Sequence, residues 1–486
     1  MTTQDLIPII PELILVFAAC LVLVVEPFLG RDKTASVGIA LTALVASGVV
    51  ALGLSGREQA AFSDMIVLND YAVFFKVLFA AAGSITVLMS PRYLETAGRH
   101  MGEYYALVLF AVVGMDIMAA SRDLMAFYVG LELMAITSYL LAGFLRYQSR
   151  SNEAALKYFV TGTFASAISL YGVSLVYGFS GSTNYEQVGA ALMAGGSTTA
   201  IALATALVLV GMAFKISAAP FHMWTPDVYT GSPTPVAAFF SVGPKAAAFS
   251  AIIMIFVTVF EVSSPTWSAV FIALSLITMF VGNAFALAQR NVKRMLAYSS
   301  VAHVGYLLAG LGALGMVEGE YAPGQTILVY LAAYTFMNLG AFAILAYLKT
   351  QSPATFDYSL ADFAGLWKRS PWAAVLMSLF MFSLTGIPGT AGFIGKFYVF
   401  SAVVNADLVW LAVIAVLFSA VSAYYYLRVT VYMFFREPEV EFETRESISG
   451  SMAASLALSA VGVLVIGVTP SWVLEAAQNS FTNFFG

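Results

Sequence analysis

Three lysines and one glutamate stand where the surrounding sequence is apolar enough to cross a membrane, and the chemistry open to such residues there is proton transfer. Lys215 ends an apolar run that begins at Thr198, and Pro220 interrupts the helix five residues later. Lys245 sits in the next apolar run, directly after Pro244. Lys396 follows TGIPGTAGFIGK, whose glycines at 386, 389, 392 and 395 let backbone and water come close. Glu132 lies inside FYVGLELMAITSYLLAG. A charge at the centre of a membrane helix costs roughly 2.5–3.5 kcal/mol on insertion scales and usually marks an ion or proton path. Proline removes a backbone donor and breaks or kinks a helix. Broken backbone at membrane depth persists only inside protein or beside water.

Glu132 and Lys215 offer a physical lever. Held together, each keeps the other charged; at ~4 Å and an effective dielectric near 20 the attraction is about 4 kcal/mol. Drawn apart, each favours its neutral form. The alternative is a static ion pair tying two helices together. For Lys396 and Lys245 the alternatives are a snorkelling or a structural lysine. Lys76 and Lys157 lie nearer helix ends, where snorkelling is expected, with Lys157 also a possible relay. His222, just after Pro220, and His303 are possible relays because histidine titrates near neutral pH; an ordinary loop role and a static hydrogen bond are their alternatives. Three histidines in all, with no cysteine or carboxylate cluster, argue against a metal site.

The elements that must position these groups are membrane helices. The chain has 486 residues, 60% hydrophobic and only 10% charged, against about 25% charged in soluble proteins; its mean hydropathy is +0.87. The net charge of −5 brings no basic patch for nucleic acid. A single cysteine, Cys20, cannot ligate an iron–sulfur cluster and reads as a small core residue. The first apolar run lacks the features of a cleaved leader and is expected to stay. At about 20 residues per span, the expectation is an all-α polytopic membrane protein of 14 helices. These lie near 6–28, 34–55, 69–90, 104–120, 123–145, 154–180, 197–218, 235–260, 267–288, 295–315, 325–348, 372–402, 408–435 and 450–472. The acidic stretch from Arg436 to Glu446 reads as a solvated loop.

Basic residues set the orientation. Of 22 Lys and Arg, 14 fall in loops on one side, among them Arg31, Arg92, Arg290, Lys293, Arg294 and Arg445. Only Arg57 and Arg122 fall on the other, and the remaining six lie within helices or at their ends, since 22 − 14 − 2 = 6. Both termini are therefore expected outside. A repeat is also expected: YLLAG occurs at 139–143 and 306–310, Thr163-Phe164 matches Thr335-Phe336, and the seventh and twelfth spans are both discontinuous. Helices 4–8 and 9–13 then form two inverted five-helix copies, a transporter pattern. The expected units are 1–100 (three helices), 101–262 and 263–436 (the two copies), and 437–486 (helix 14). Gly310 to Gly315 matches a dinucleotide fingerprint, but it ends a membrane helix with no βαβ unit around it. It is read as close packing.

HMWTPDVYTGSPTPVAAFFSVGPKAAAF resembles the signature of the antiporter-like membrane subunits of respiratory complex I, the subunit N branch in particular, bacterial counterpart of mitochondrial NADH dehydrogenase subunit 2. GLELMAITSYLLAGF, RNVKRMLAYSSVAHVGY and SLTGIPGTAGFIGKFYVF match as well. The resemblance spans the whole chain. It implies that Glu132 pairs with Lys215, in contact, that Lys245 is the connecting lysine, and that Lys396 stands at the outlet half-channel. Sister subunits and sodium/proton antiporters usually carry a histidine ahead of the eighth-helix lysine; AFFSVGPK lacks it. The chain ends soon after helix 14, without a long lateral helix. The first three helices, absent from animal mitochondrial versions, imply a bacterial inner-membrane protein with periplasmic termini. The implied function is proton translocation within NADH:quinone oxidoreductase, with no redox centre in this chain. FMN, iron–sulfur clusters and quinone are expected in other subunits, and antiporter-like subunit M, a small K-type subunit and lipids as neighbours in a hetero-oligomer. A cation/proton antiporter, a secondary transporter, is the alternative. It would predict carboxylate-rich sites, whereas Glu132 is the one clear mid-membrane carboxylate and Asp116 lies nearer a helix end. A spacer with idle lysines is a third reading.

Overall fold

The computed structural model describes residues 3–30, 32–195, 198–316, 322–352, 354–438 and 447–485. Arg31, Arg445 and most of the acidic stretch ending at Glu446 lie outside them. In chain order the helices are α1 (Ile10–Val25), α2 (Thr34–Gly53), α3 (Asp70–Thr96), α4 (Glu103–Ala120), α5 (Leu124–Ala142), α6 (Ser149–Ser180), α7 (Tyr185–Ala194) and α8 (Thr198–Ile216). Then come α9 (Trp224–Gly231), α10 (Thr234–Thr258), α11 (Ser264–Ala288), α12 (Val292–Leu314) and α13 (Ala322–Gln351). The last are α14 (Leu366–Arg369), α15 (Pro371–Thr385), α16 (Ala391–Asn405), α17 (Val409–Phe435), α18 (Gly450–Val468) and α19 (Ser471–Phe485).

Among the described residues 13 helical segments are long and apolar enough to span a membrane. The shorter pair Pro371–Thr385 and Ala391–Asn405 together makes one more span, so 13 + 1 = 14. Their positions follow the sequence reading closely because hydrophobic length alone decides them. Polar capping sharpens several ends: Asp123 accepts from the Met125 and Ala126 amides at the start of α5, and Asn291 from Arg294 at the start of α12.

The burial pattern separates inner from outer helices. α10, α12 and α13 are buried almost all round and form the core against which α3, α9, α15 and α16 pack. By contrast α1, α2, α6, α17 and α18 keep broad apolar faces open, for example at Phe17, Val49, Phe164 and Leu417. A helix with one such face borders lipid or a neighbouring subunit.

Four features depart from the sequence reading. A hairpin pairs Gln59–Ala61 with Ile66–Leu68, too short to register as strands. A short amphipathic helix, α7, precedes the seventh span. The fourteenth span ends at Val468, and after Pro470 a further helix, α19, turns back to pack on α3 and α13; Phe481 is its buried anchor. Cys20 is exposed on the outer face of α1, so it is not a core residue.

Candidate functional site

Both interrupted spans are broken, the second between two helices of 15 residues each and the first after the 19 residues of α8. Between α8 and α9 the chain passes through Ser217, at φ 66, and the Ala219–Pro220 bond is cis. The freed groups are taken locally: the Trp224 indole donates to the Phe214 carbonyl (3.0 Å), the Ala219 amide to Thr278 Oγ1 (2.9 Å), and Thr225 to Ser217 Oγ (2.7 Å). Between α15 and α16 the chain turns through Gly386 and Gly389, at φ 95 and 85. Gly392 passes so close to α15 that a Cβ there would lie 1.7 Å from the Ser383 carbonyl oxygen. Only glycine fits.

Lys215 is 3% exposed and its Nζ has no hydrogen-bond partner among the described residues. It lies over the rings of Tyr139 (5.3 Å) and Tyr158 (5.7 Å), and Tyr158 stacks on Trp224 at 4.3 Å. Glu132 is held elsewhere, accepting a hydrogen bond from Ser166, which also meets the Tyr128 hydroxyl (3.1 Å). The expected direct contact between Glu132 and Lys215 is therefore absent. The two remain within electrostatic reach. Tyr139, seven residues after Glu132 on the same helix face, lies beside Lys215 and is seated against Gly162.

Lys245, equally buried, donates to Ser300 Oγ and lies over the Tyr229 ring at 5.8 Å. Nearby, Asn338 donates to Ser241 Oγ (2.5 Å). His303 comes next along α12: Nδ1 pairs with the Tyr330 hydroxyl (2.6 Å) and Nε2 with that of Tyr426 (3.0 Å), which in turn bonds Ser299. His303 lies within electrostatic reach of both Lys245 and Lys396. Lys396 donates to the Leu384 carbonyl (2.9 Å), the Thr385 carbonyl (2.8 Å) and Ser419 Oγ (2.9 Å), beneath the Tyr306 ring at 5.4 Å. A cavity of about 730 Å³, walled by α15, α16 and α17, reaches Lys396 from outside. Hydroxyls and an imidazole thus fill the interior between Lys245 and Lys396, each able to donate and accept. Sequence reading placed the lysines; it missed the tyrosines and serines, whose types are ordinary in helices and carry no spacing signal.

The other candidates fall outside this row. His222 is half-buried in the first break, within electrostatic reach of Lys245, and its Nδ1 is unpartnered among the described residues. Lys157 is exposed and ion-paired with Glu153 (2.7 Å) and Asp227 (2.8 Å); Arg294 shares Asp227 at 2.8 Å. That is a surface network, not a buried relay. Lys293, read as a loop charge, is buried instead and donates to the Thr230 and Ser232 carbonyls (3.3 and 2.7 Å) at the end of α9. Lys76 does not snorkel: it is 1% exposed and ion-paired with Glu12 at 2.8 Å. Asp116, though near its helix end, is fully buried. Glu132 is therefore not the sole carboxylate at depth. Of the glycines of 310–315, Gly310 packs on Ile327, Gly312 on Ile272 and Gly315 on Trp267, the close-packing reading.

Residues 121–422 match the family described as NADH:quinone oxidoreductase/Mrp antiporter, transmembrane. NADH-quinone oxidoreductase subunit N of Trichlorobacter lovleyi is 44% identical over 481 residues, covering 98% of this chain and 97% of the relative. Subunit N 2 of Rhizobium meliloti is 45% identical over 479 residues, 97% and 96% of the two chains. A chain of respiratory complex I from Thermus thermophilus with bound aureothin superimposes at TM-score 0.81 with 33% identity, over 96% of this chain and 99% of that one. A chain of the Mrp complex from Dietzia sp., 24% identical, shares the fold at TM-score 0.84 over 100% and 98% of the two chains. With two broken membrane helices, lysines beside both breaks and relatives alike from end to end, the chain belongs to the NADH:quinone oxidoreductase/Mrp antiporter family, in its subunit N branch.

Proposed function

We propose that this chain is a proton-translocating, antiporter-like membrane subunit of an NADH:quinone oxidoreductase, carrying protons while electrons pass through FMN, iron–sulfur clusters and quinone in other subunits. The observation that carries the reading is the row of buried groups between the two broken helices: Lys215, Lys245, His303 and Lys396, with serine and tyrosine hydroxyls between the last three. Glu132 controls the charge on Lys215 from one end, Lys245 connects, and Lys396 exchanges protons with the far side. The separation of Glu132 from Lys215 corresponds to the open position of the pair. Neighbours of the M and K type would bear on it. His222 serves as a side relay near Lys245.

The protein sits in a bacterial inner membrane, with both termini periplasmic and the 290–294 segment cytoplasmic. Residues 101–262 and 263–436 are inverted copies, preceded by a three-helix unit, 1–100, and followed by 437–486. The test is proton transport by the purified complex in sealed vesicles, driven by NADH with quinone as acceptor. Replacing Lys245 by alanine lowers protons moved per electron while the complex stays assembled. Unchanged yields in Lys215, Lys245 and Lys396 variants would leave the chain a spacer. Cation-driven proton exchange by the chain apart from any NADH-oxidising complex would establish the secondary transporter.

A further inference from the structure

Outside the row of lysines, three ionisable side chains are buried together at the end of the bundle where α4 stops and α5 begins. Lys76 lies six residues into α3, Asp116 four residues before the end of α4, and Glu12 in the first turn of α1. At 1.5 Å per residue these are depths of roughly 6–9 Å for the first two. Lys76 Nζ is committed to Glu12 (2.8 Å) and to the Pro8 carbonyl (2.9 Å). Asp116 is 0% exposed, and neither carboxylate oxygen has a hydrogen-bond partner among the described residues.

The charges facing Asp116 can be counted element by element. α1 supplies Glu12 and α3 supplies Lys76, the two groups that act on it electrostatically. α2 and the strand Ile66–Leu68, also packed on α4, carry no charged residue. On α5 the Glu132 carboxylate is turned to Ser166. On α10 the one charge is Lys245, which is committed to Ser300, and the Met115 thioether packs at Gly243. Two carboxylates thus face one ammonium. A buried carboxylate with no hydrogen bond, whose one nearby cation is paired directly with another carboxylate, is not sustained in its charged form. A metal cation is disfavoured by the ammonium already in the group; a proton balances it.

We propose that Glu12, Lys76 and Asp116 form a second proton-binding site, in which Asp116 carries an exchangeable proton and Lys76 chooses between the two carboxylates. While Lys76 is paired with Glu12, Asp116 holds the proton. When Asp116 releases it, Lys76 is drawn from α1 toward α4, and Glu12 takes up a proton in its turn. The site therefore couples protonation to the contact between the N-terminal helices and the rest of the bundle.

The test uses the intact purified complex and infrared difference spectra between two pH values, read in the carboxylic-acid C=O region, with and without isotope-labelled aspartate. Wild type is expected to show a carboxylic-acid band that shifts with the label and vanishes in Asp116→Asn. Glu12→Gln leaves Asp116 in place but frees Lys76 to pair with it, so the same labelled band should be lost there too. Identical spectra for wild type and Asp116→Asn would overturn the proposal, as would an undiminished band in Glu12→Gln. Should Asp116→Asn fail to assemble, labelling of wild type and the Glu12→Gln spectrum still decide. Because the readout is a protonation band, it stands or falls separately from pumping in the Lys215 and Lys396 variants.

Discussion

At the first break the lysine precedes the gap: Lys215 is the penultimate residue of α8. At the second it follows the gap: Lys396 is the sixth residue of α16, and its side chain reaches back to the open end of α15. Counting five residues back from the proline of each break gives Lys215 in one and Ser383 in the other. The last carbonyls of a helix lack partners and carry partial negative charge. Lys396 satisfies two of them, Leu384 and Thr385, and Ser419 as well. Lys215 finds only aromatic faces. One lysine is thus held by the break itself, and the other sits among aromatic rings with a carboxylate of a different helix only within electrostatic reach. A fixed site suits an exit and a conditional one suits control.

The sharpest way to break this contrast is to truncate both lysines. Each hydrogen bond from a charged donor is worth about 1.5–3 kcal/mol, so Lys396→Ala should cost heat stability of the complex as well as pumping. Lys215→Ala gives up only ring contacts, about 0.5–2 kcal/mol, and should cost pumping with little stability. Thermal inactivation measured beside proton yield separates them; equal losses of stability would erase the distinction.

Gly386→Ala comes next. At φ 95 a side chain is strained by about 1–3 kcal/mol, so the second break should lose stability and Lys396 its two carbonyls. Unaltered thermal inactivation would mean that the break does not depend on this turn.

The Glu132 variants probe the conditional lysine. Glu132→Gln keeps the shape and removes the charge, so pumping should fall, roughly tenfold for each ~1.4 kcal/mol of coupling lost. Glu132→Asp should retain more. Equal pumping by the two, at equal assembly, would show that the charge is not the control.

Smallest is Ser217→Gly. It relieves a left-handed residue, about 1–2 kcal/mol, but removes the acceptor of the Thr225 hydroxyl, worth about 0.5–1.5 kcal/mol. The two offset, and heat stability should stay within about 1 kcal/mol of wild type. A large loss would mean that the first break, too, is held by its own geometry.

The span pattern and both breaks were legible in the sequence because hydrophobic length and proline or glycine chemistry are local. So were the three lysines, since a charge inside an apolar run stands out wherever the run folds. Contacts were not legible. Lys76 read as a snorkelling side chain because its partner, Glu12, is 64 residues away, and no local pattern announces that α1 brings Glu12 to Lys76. Asp116 read as a helix-end residue, yet it is fully buried in the packed bundle.

Composition, spacing and punctuation by themselves determined a polytopic helical membrane protein, interrupted twice, with costly charges near the interruptions. Those are one-dimensional properties: each depends on a window of about 20 residues and on the transfer of side chains from water. Only the tertiary structure decided which polar group satisfies which. Ser166 took Glu132 while Lys215 settled among aromatic rings, carbonyls freed by one break captured Lys396, and Lys76 was buried against Glu12. The reason is that a buried polar group takes the nearest complementary partner. Nearness across helices is set by packing, which the order of residues along one strand of chain does not reveal.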